Sequence, residues 1–370
     1  MVSSTPPQPS PACSSPRSVL FGNEDRSVFL IDIPASVEES QFLPGRSAET
    51  TGPQRRLLSV DPITTPFSIP EPRDPLANNQ TPASQLADLM IEAAVRSALD
   101  TLGRGYTAPF CLPRVTGGGS SNVSTGSECN RKSPQDHAVS KDVAQDAAAA
   151  AAAATAHFIP EESAYLSGSI QETREAFLST APKFDLIVLD PPGRTSPRGE
   201  RLAAIPPSTV SRRLGHFWIT SPSLAILQMA ASLLYGGVLA SWGLEVAAEW
   251  IWVKLTSRGE PIFDPESAWR KPWERLIIAR KRGDNRKVSQ RVIAAVPDVH
   301  SRKPNLRHLF EDELPQGYLG LEIFARNLTA GWWGWGNEVL RFQEPQHWIV
   351  HSKPERTGPR RSEPDDTNTN

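Results

Sequence analysis

The sequence predicts an α/β domain built on a doubly wound, largely parallel sheet in the C-terminal half, preceded by a largely disordered N-terminal extension. Three observations carry this. All ten Trp residues lie at or after Trp218. The first 82 residues are crowded with Pro, Ser, Thr and Gln, which bury little apolar surface. From about residue 163 onward, short continuous apolar runs alternate with helical stretches, the pattern of strands buried on both faces.

In chain order, residues 1–16 read as disordered. Two β-rich runs follow at 18–21 and 27–33, and Gly22-Asn23-Glu24-Asp25 between them fits a hairpin, which needs a partner to be stable. A Pro-rich linker then reaches Pro82. Ser84 as N-cap and Gly103 as stop bracket a helix whose Ile91, Val95, Leu99 and Leu102 make one apolar stripe, so it must dock. Residues 107–146 are polar and Gly/Ser-rich, and 147–154 are all Ala, helical by propensity but without an amphipathic face. Gly117-Gly118-Gly119 reads as flexible linker rather than phosphate loop, because no Lys-Ser/Thr follows and no strand precedes it. Strands are expected at 184–189, 216–220, 246–255, 275–279, 291–296 and 319–324, with helices at 223–235 and 305–314. The expected division is 1–16 disordered; 17–106 hairpin, linker and helix; 107–160 low-complexity linker; 161–350 the α/β domain; and 351–370 a disordered tail.

The 370 residues suffice for one sizeable domain with extensions, and the formal charge of −2 favours no partner. Between Lys254 and Arg307, however, stand 14 Lys and Arg against 6 Asp and Glu, which is either a solvated basic face or a phosphate-binding surface. Cys13, Cys111 and Cys129 show no CxxC pair and no His cluster, so neither zinc nor a disulfide framework is expected. There is no signal-peptide run and no stretch of the roughly 18 apolar residues that a membrane span needs, so an intracellular, soluble protein is expected.

In doubly wound sheets, reactive residues sit past the carboxyl ends of strands, and the run 184–189 passes directly into Asp190-Pro191-Pro192. By itself this tripeptide is either a plain loop or a rigid turn presenting a carboxylate and carbonyls to an exocyclic amine. Its neighbours bear on the choice. The segments FDLIVLDPP (184–192), EVAAEWIWVK (245–254), KPWERLIIAR (271–280), HSRKP (300–304) and EIFARNLTAGWWGWGNEVL (322–340) occur in one order. Together they resemble the eukaryotic adenine N(6)-methyltransferase family, its methyltransferase-like 4 branch, over roughly residues 163–343.

The resemblance implies a permuted class I (Rossmann-like) S-adenosylmethionine-dependent methyltransferase fold, in which the catalytic strand precedes the cofactor-binding strand in sequence. It implies that Asp190, Pro191 and Pro192 hold the target amine of adenine in RNA or DNA. It also implies that the strand end 321–325, including Phe324, contacts S-adenosylmethionine, with Arg326 and Asn327 at the cofactor. Asn337 and Glu338, after the tight Gly336, would bond the ribose hydroxyls, and Lys303 would lie near the cofactor carboxylate or the target base. Lys254 and Lys271 are read as phosphate contacts. Trp332, Trp333 and Trp335 are read as core rather than base-stacking residues. No metal and no membrane are implied, and the nucleus, or also the cytosol, is the expected compartment.

The chain departs from the family pattern at two places. Where relatives carry an aromatic residue after the two prolines, on the substrate side, this sequence has Gly193. Only residues 193–217, interrupted by Pro197, Pro206 and Pro207, join that turn to the next strand. Two readings therefore stand: an active enzyme, favoured by Asp190 and the Gly336-Asn337-Glu338 turn, and a non-catalytic nucleic-acid-binding or partner-stabilising protein, favoured by Gly193 and the short connection.

Overall fold

A computed structural model describes residues 16–46, 54–70, 82–117, 157–190, 214–221, 242–267, 270–285 and 287–351. The runs 1–15 and 352–370, the Ala run, the helical stretch at 223–235 and most of 193–217 lie outside the described residues.

In chain order the elements are β1 (Val19–Gly22), β2 (Val28–Ile31), α1 (Ile33–Glu39), β3 (Gln54–Ser59), α2 (Pro82–Gly105), β4 (Val115–Thr116), β5 (Ala164–Ser167), α3 (Arg174–Thr180) and β6 (Phe184–Leu189). There follow β7 (Leu214–Ser221), β8 (Leu244–Lys254), β9 (Trp273–Lys281), β10 (Arg291–Ala295), α4 (Arg307–Phe310), β11 (Gly320–Ile323), β12 (Trp333–Gly336) and β13 (Trp348–His351). The apolar runs thus become strands within a residue or two of the positions expected.

Ten strands form one sheet in the order β1-β2-β10-β8-β9-β7-β6-β11-β12-β5. All neighbours pair in parallel except β1 with β2 and the two sides of β9, so only β1 and β9 run against the rest. The late strands β11 and β12 sit between the early strands β5 and β6. This is the permuted order that the resemblance implies. It brings the carboxyl ends of β6, β11 and β12 to one edge.

The hairpin expected at 18–33 forms, closed by Asn23 Oδ1 accepting from the Val28 N–H at 2.8 Å. It gains its stability by joining the main sheet: β2, buried at all four residues, pairs in parallel with β10. α2 lays Ile91, Val95, Ala98 and Leu102 on one sheet face against Leu30, Val253 and Val292, which is the docking its stripe requires. On the opposite face Trp250, Phe310 and Trp332 stack in sequence at 6.0 and 6.3 Å. Farther along the sheet Trp335, fully buried, stacks on Phe177 at 4.1 Å. Trp332 and Trp335 are therefore core residues, as expected, and Trp333 packs its edge on Phe184.

Four expectations need correction. The stretch read as linker before Pro82 contains α1, which starts where Asp32 caps the Ala35 N–H at 2.9 Å with Pro34 in the first turn. It is two turns long, too short to leave a periodic signal. The same stretch contains β3, which pairs with β13 and β4 in a second, three-stranded sheet, so the start of the 107–146 run is also ordered. Ser84 lies inside α2 rather than at its cap. The helix expected over 305–314 is one α-turn, 307–310, continuing as turns, because Leu306 offers no side-chain cap and Pro315 follows.

Candidate active site

β6 and β11 are far apart in sequence yet adjacent in the sheet, so their carboxyl ends flank a topological switch point, where such sheets leave a crevice. Asp190 is the first residue past β6 and is 6% exposed. Its backbone N–H donates to the Ile323 carbonyl at 3.4 Å, tying it to β11. Its Oδ2 accepts from Arg326 Nη1 at 3.1 Å. Its Oδ1 is buried and, among the described residues, accepts no hydrogen bond; Lys303 Nζ stands 4.0 Å away. A buried carboxylate oxygen of that kind is costly unless a ligand donor completes it.

Past β11 the chain turns sharply at Phe324, a non-glycine residue in the left-handed region (φ 61°). Gly336 at the end of β12 makes room for that turn: a Cβ there would come 3.1 Å from the Phe324 Cα, and its own φ of 151° suits glycine. The tight turn at Gly336 thus lies against the backbone of the neighbouring strand end. Phe324 itself packs in the core with Leu189 and Trp335 and supports the site from below.

Arg326 links the two loops. While Nη1 bonds Asp190, its Nε bonds Glu338 Oε2 at 3.1 Å, and Arg341 approaches the same oxygen at 3.4 Å. Asn327 and Asn337, both half-buried, adjoin these residues on the same two loops. The expected residues Asp190, Lys303, Arg326, Asn327, Asn337 and Glu338 are therefore gathered at one edge. Pro191, Pro192 and Gly193 lie outside the described residues.

Two acidic residues escaped the sequence reading. Glu322 sits inside β11, masked by its apolar run. Burial of its carboxyl and the neighbouring Asp190 charge push it up to about 8, against the pull of Arg326. Glu274, on β9 and 9% exposed, lies between Lys254 Nζ (2.5 Å) and Lys303 Nζ (2.6 Å). Burial would raise Glu274, but the two ammonium groups outweigh it and hold the carboxyl below its ordinary value. Both ammonium groups also lie 5.1 Å from the Trp252 ring. Lys254 therefore belongs to the charged cluster that reaches Asp190 through Lys303. Lys271 is engaged elsewhere: its Nζ donates to the Pro265 carbonyl at 2.7 Å and lies 3.7 Å from Glu92 on α2. Among the described residues no group of His, Cys, Asp and Glu gathers as a metal site.

Comparison with known proteins gives one family. Residues 184–338 match the MT-A70 family. The N6-methyladenosine RNA methyltransferase MTA1 of Cryphonectria parasitica is 43% identical over 358 residues, covering 90% of this chain and 94% of that protein. The protein of the same name from Pyricularia oryzae is 40% identical, covering 92% and 99%. The N(6)-adenine-specific methyltransferase METTL4 of Mus musculus is 33% identical over 219 residues, 52% of this chain and 45% of that one.

Proposed function

Because the chain belongs to the MT-A70 family, we propose that it transfers a methyl group from S-adenosylmethionine to the 6-amino group of adenine in nucleic acid. RNA is the substrate we favour, since the relatives that match nine-tenths of this chain are named for RNA, and DNA is the alternative that the same site would accept. We place the protein in the nucleus, or also in the cytosol.

The observation that carries the reading is Asp190. One oxygen is fixed by Arg326 and the other is buried and free to accept, which suits an amine N–H entering at the switch point. The polar residues Asn337 and Glu338, following a glycine that lets β12 end against β11, fit the ribose of the cofactor. When bound, S-adenosylmethionine supplies an electrophilic methyl group. The chain's own part is positioning: Asp190 orients the amine so that its lone pair points outward. The Lys254–Glu274–Lys303 cluster lies beside this point and offers positive charge to a phosphate or base edge. Lys271 joins the proposal as a more peripheral phosphate contact.

Gly193 supports a second reading, a binding protein without turnover, since the family's base-stacking residue is absent there. One experiment separates them. Wild type should bind S-adenosylmethionine in a calorimetric titration and label an adenine-containing RNA oligonucleotide, and Asp190→Ala should lose labelling by on the order of 100-fold or more. Cofactor binding without labelling of RNA or DNA would establish the second reading, and no cofactor binding would end the first.

A further inference from the structure

The loop that carries Arg326 and Asn327 forms no regular secondary structure, so its backbone groups must find partners elsewhere. Two remote segments supply them. Phe342 N–H donates to the Arg326 carbonyl at 2.8 Å, and Ala330 N–H donates to the Ser40 carbonyl at 2.8 Å. Between these, both sides of Leu328 are held by side-chain amides: its N–H donates to Gln343 Oε1 at 3.1 Å, and its carbonyl accepts from Gln41 Nε2 at 3.0 Å. Gln343 Nε2 then donates to Gln41 Oε1 at 2.9 Å and closes the ring. The remaining amide hydrogens go to the Val37 and Phe158 carbonyls. Gln41 is 3% exposed and Gln343 is fully buried.

We propose that Gln41 and Gln343 are positioning residues for methyl transfer, a clamp through which the N-terminal extension sets the loop bearing Arg326 and Asn327. The inference rests on the functional reading above. Both places need a side chain that donates and accepts at once, as a neutral amide does. Each Gln gives and accepts at once, so turning either amide over would set donor against donor at the Leu328 N–H or acceptor against acceptor at its carbonyl. A carboxylate would lack the donor and would add charge to an edge already holding Asp190, Glu322 and Glu338. The clamp also accounts for the burial of α1: the turn after it places Ser40 and Gln41 against residues 328–330 while Ser36 Oγ accepts from the Asn305 N–H, on the loop of Lys303. One short helix thus braces both the loop of Lys303 and the loop of Arg326.

The test uses the full chain with Gln41→Glu, Gln41→Met and Asn23→Ala, each titrated with S-adenosylmethionine and assayed on an adenine-containing RNA oligonucleotide. Gln41→Met should weaken cofactor binding by about tenfold with a smaller change in kcat at saturating cofactor. Gln41→Glu should behave likewise at alkaline pH, where the buried carboxyl is ionised, and recover toward wild type as the pH is lowered, because the protonated acid regains the donor for the Leu328 carbonyl. Wild type measured over the same pH series is the reference. Asn23→Ala weakens only the β1–β2 turn and should lower the melting temperature while leaving cofactor affinity unchanged. If Gln41→Glu does not fold, Gln41→Met decides, since it keeps the length of the side chain. Unchanged affinity in Gln41→Met, or an equal loss in Asn23→Ala, overturns the clamp. Failure of wild type to bind cofactor overturns instead the function on which it rests.

Discussion

Arg326 holds Asp190 and Glu338 at the same time, with Nη1 3.1 Å from Asp190 Oδ2 and Nε 3.1 Å from Glu338 Oε2. One planar guanidinium thereby fixes the distance between the residue proposed to grip the amine and the turn proposed to hold the cofactor. A lysine is a single point charge and cannot span both. Arg326→Lys should lower turnover by about tenfold or more and weaken cofactor binding as well. Retention of both in steady-state kinetics and calorimetry would show that the bridge does not set the geometry.

Asn337 lies beside Glu338 on the turn after Gly336. If it bonds the ribose hydroxyls, Asn337→Ala should weaken S-adenosylmethionine binding by about 1–3 kcal/mol. Calorimetry at one temperature decides this, and an unchanged Kd would move the ribose elsewhere.

Lys254 and Lys271 contribute to the basic excess between residues 254 and 307. Affinity for a single-stranded oligonucleotide should fall steeply with salt, and the log–log slope should become shallower by about one for a lysine that displaces a counterion. Lys254→Ala should show the larger effect, because Lys254 shares Glu274 with Lys303 beside Asp190, whereas Lys271 is turned away toward Pro265 and Glu92. A slope identical to wild type removes the lysine concerned from the interface.

His308 joins α4 to the N-terminal extension, its Nδ1 3.2 Å from Glu311 and its Nε2 3.4 Å from Glu39. Burial alone would lower its pKa, but the two carboxylates outweigh it and raise it to about 9 from an ordinary 6.5. Because the folded state favours the charged form, this contribution to stability is complete below pH 6.5 and is lost as the pH rises through 9. The difference in melting temperature between wild type and His308→Asn should therefore shrink across that window. A constant difference would show that the imidazolium is not what the carboxylates hold.

Gly193 stands where the resemblance to the family implies an aromatic residue. Gly193→Trp should restore a stacking surface worth about 1–3 kcal/mol and raise turnover on the order of tenfold. Adding Asp190→Ala should abolish the gain, since a stacked base whose amine is not oriented does not reach the methyl group productively. Background activity in Gly193→Trp with intact cofactor binding would point to the 193–217 connection as the deeper defect.

The sequence by itself determined what depends on local pattern. The apolar runs announced β6 through β11, the stripe on 91–102 announced a docked helix, and the ordered motifs located Asp190, Arg326 and Glu338 just past strand ends and Lys303 on the loop after β10. Those features are written in residues a few positions apart, where periodicity and burial leave a trace. The tertiary structure alone decided what depends on partners remote in sequence: α1 as a brace, the pairing of β3 with β13, the ring that joins Gln41 to Gln343, and the turning of Lys271 toward α2. It also decided the character of Glu322 and Glu274, because a carboxyl group takes its charge state from the desolvation and the ammonium or carboxylate neighbours that folding brings to it, and neither is visible along the chain.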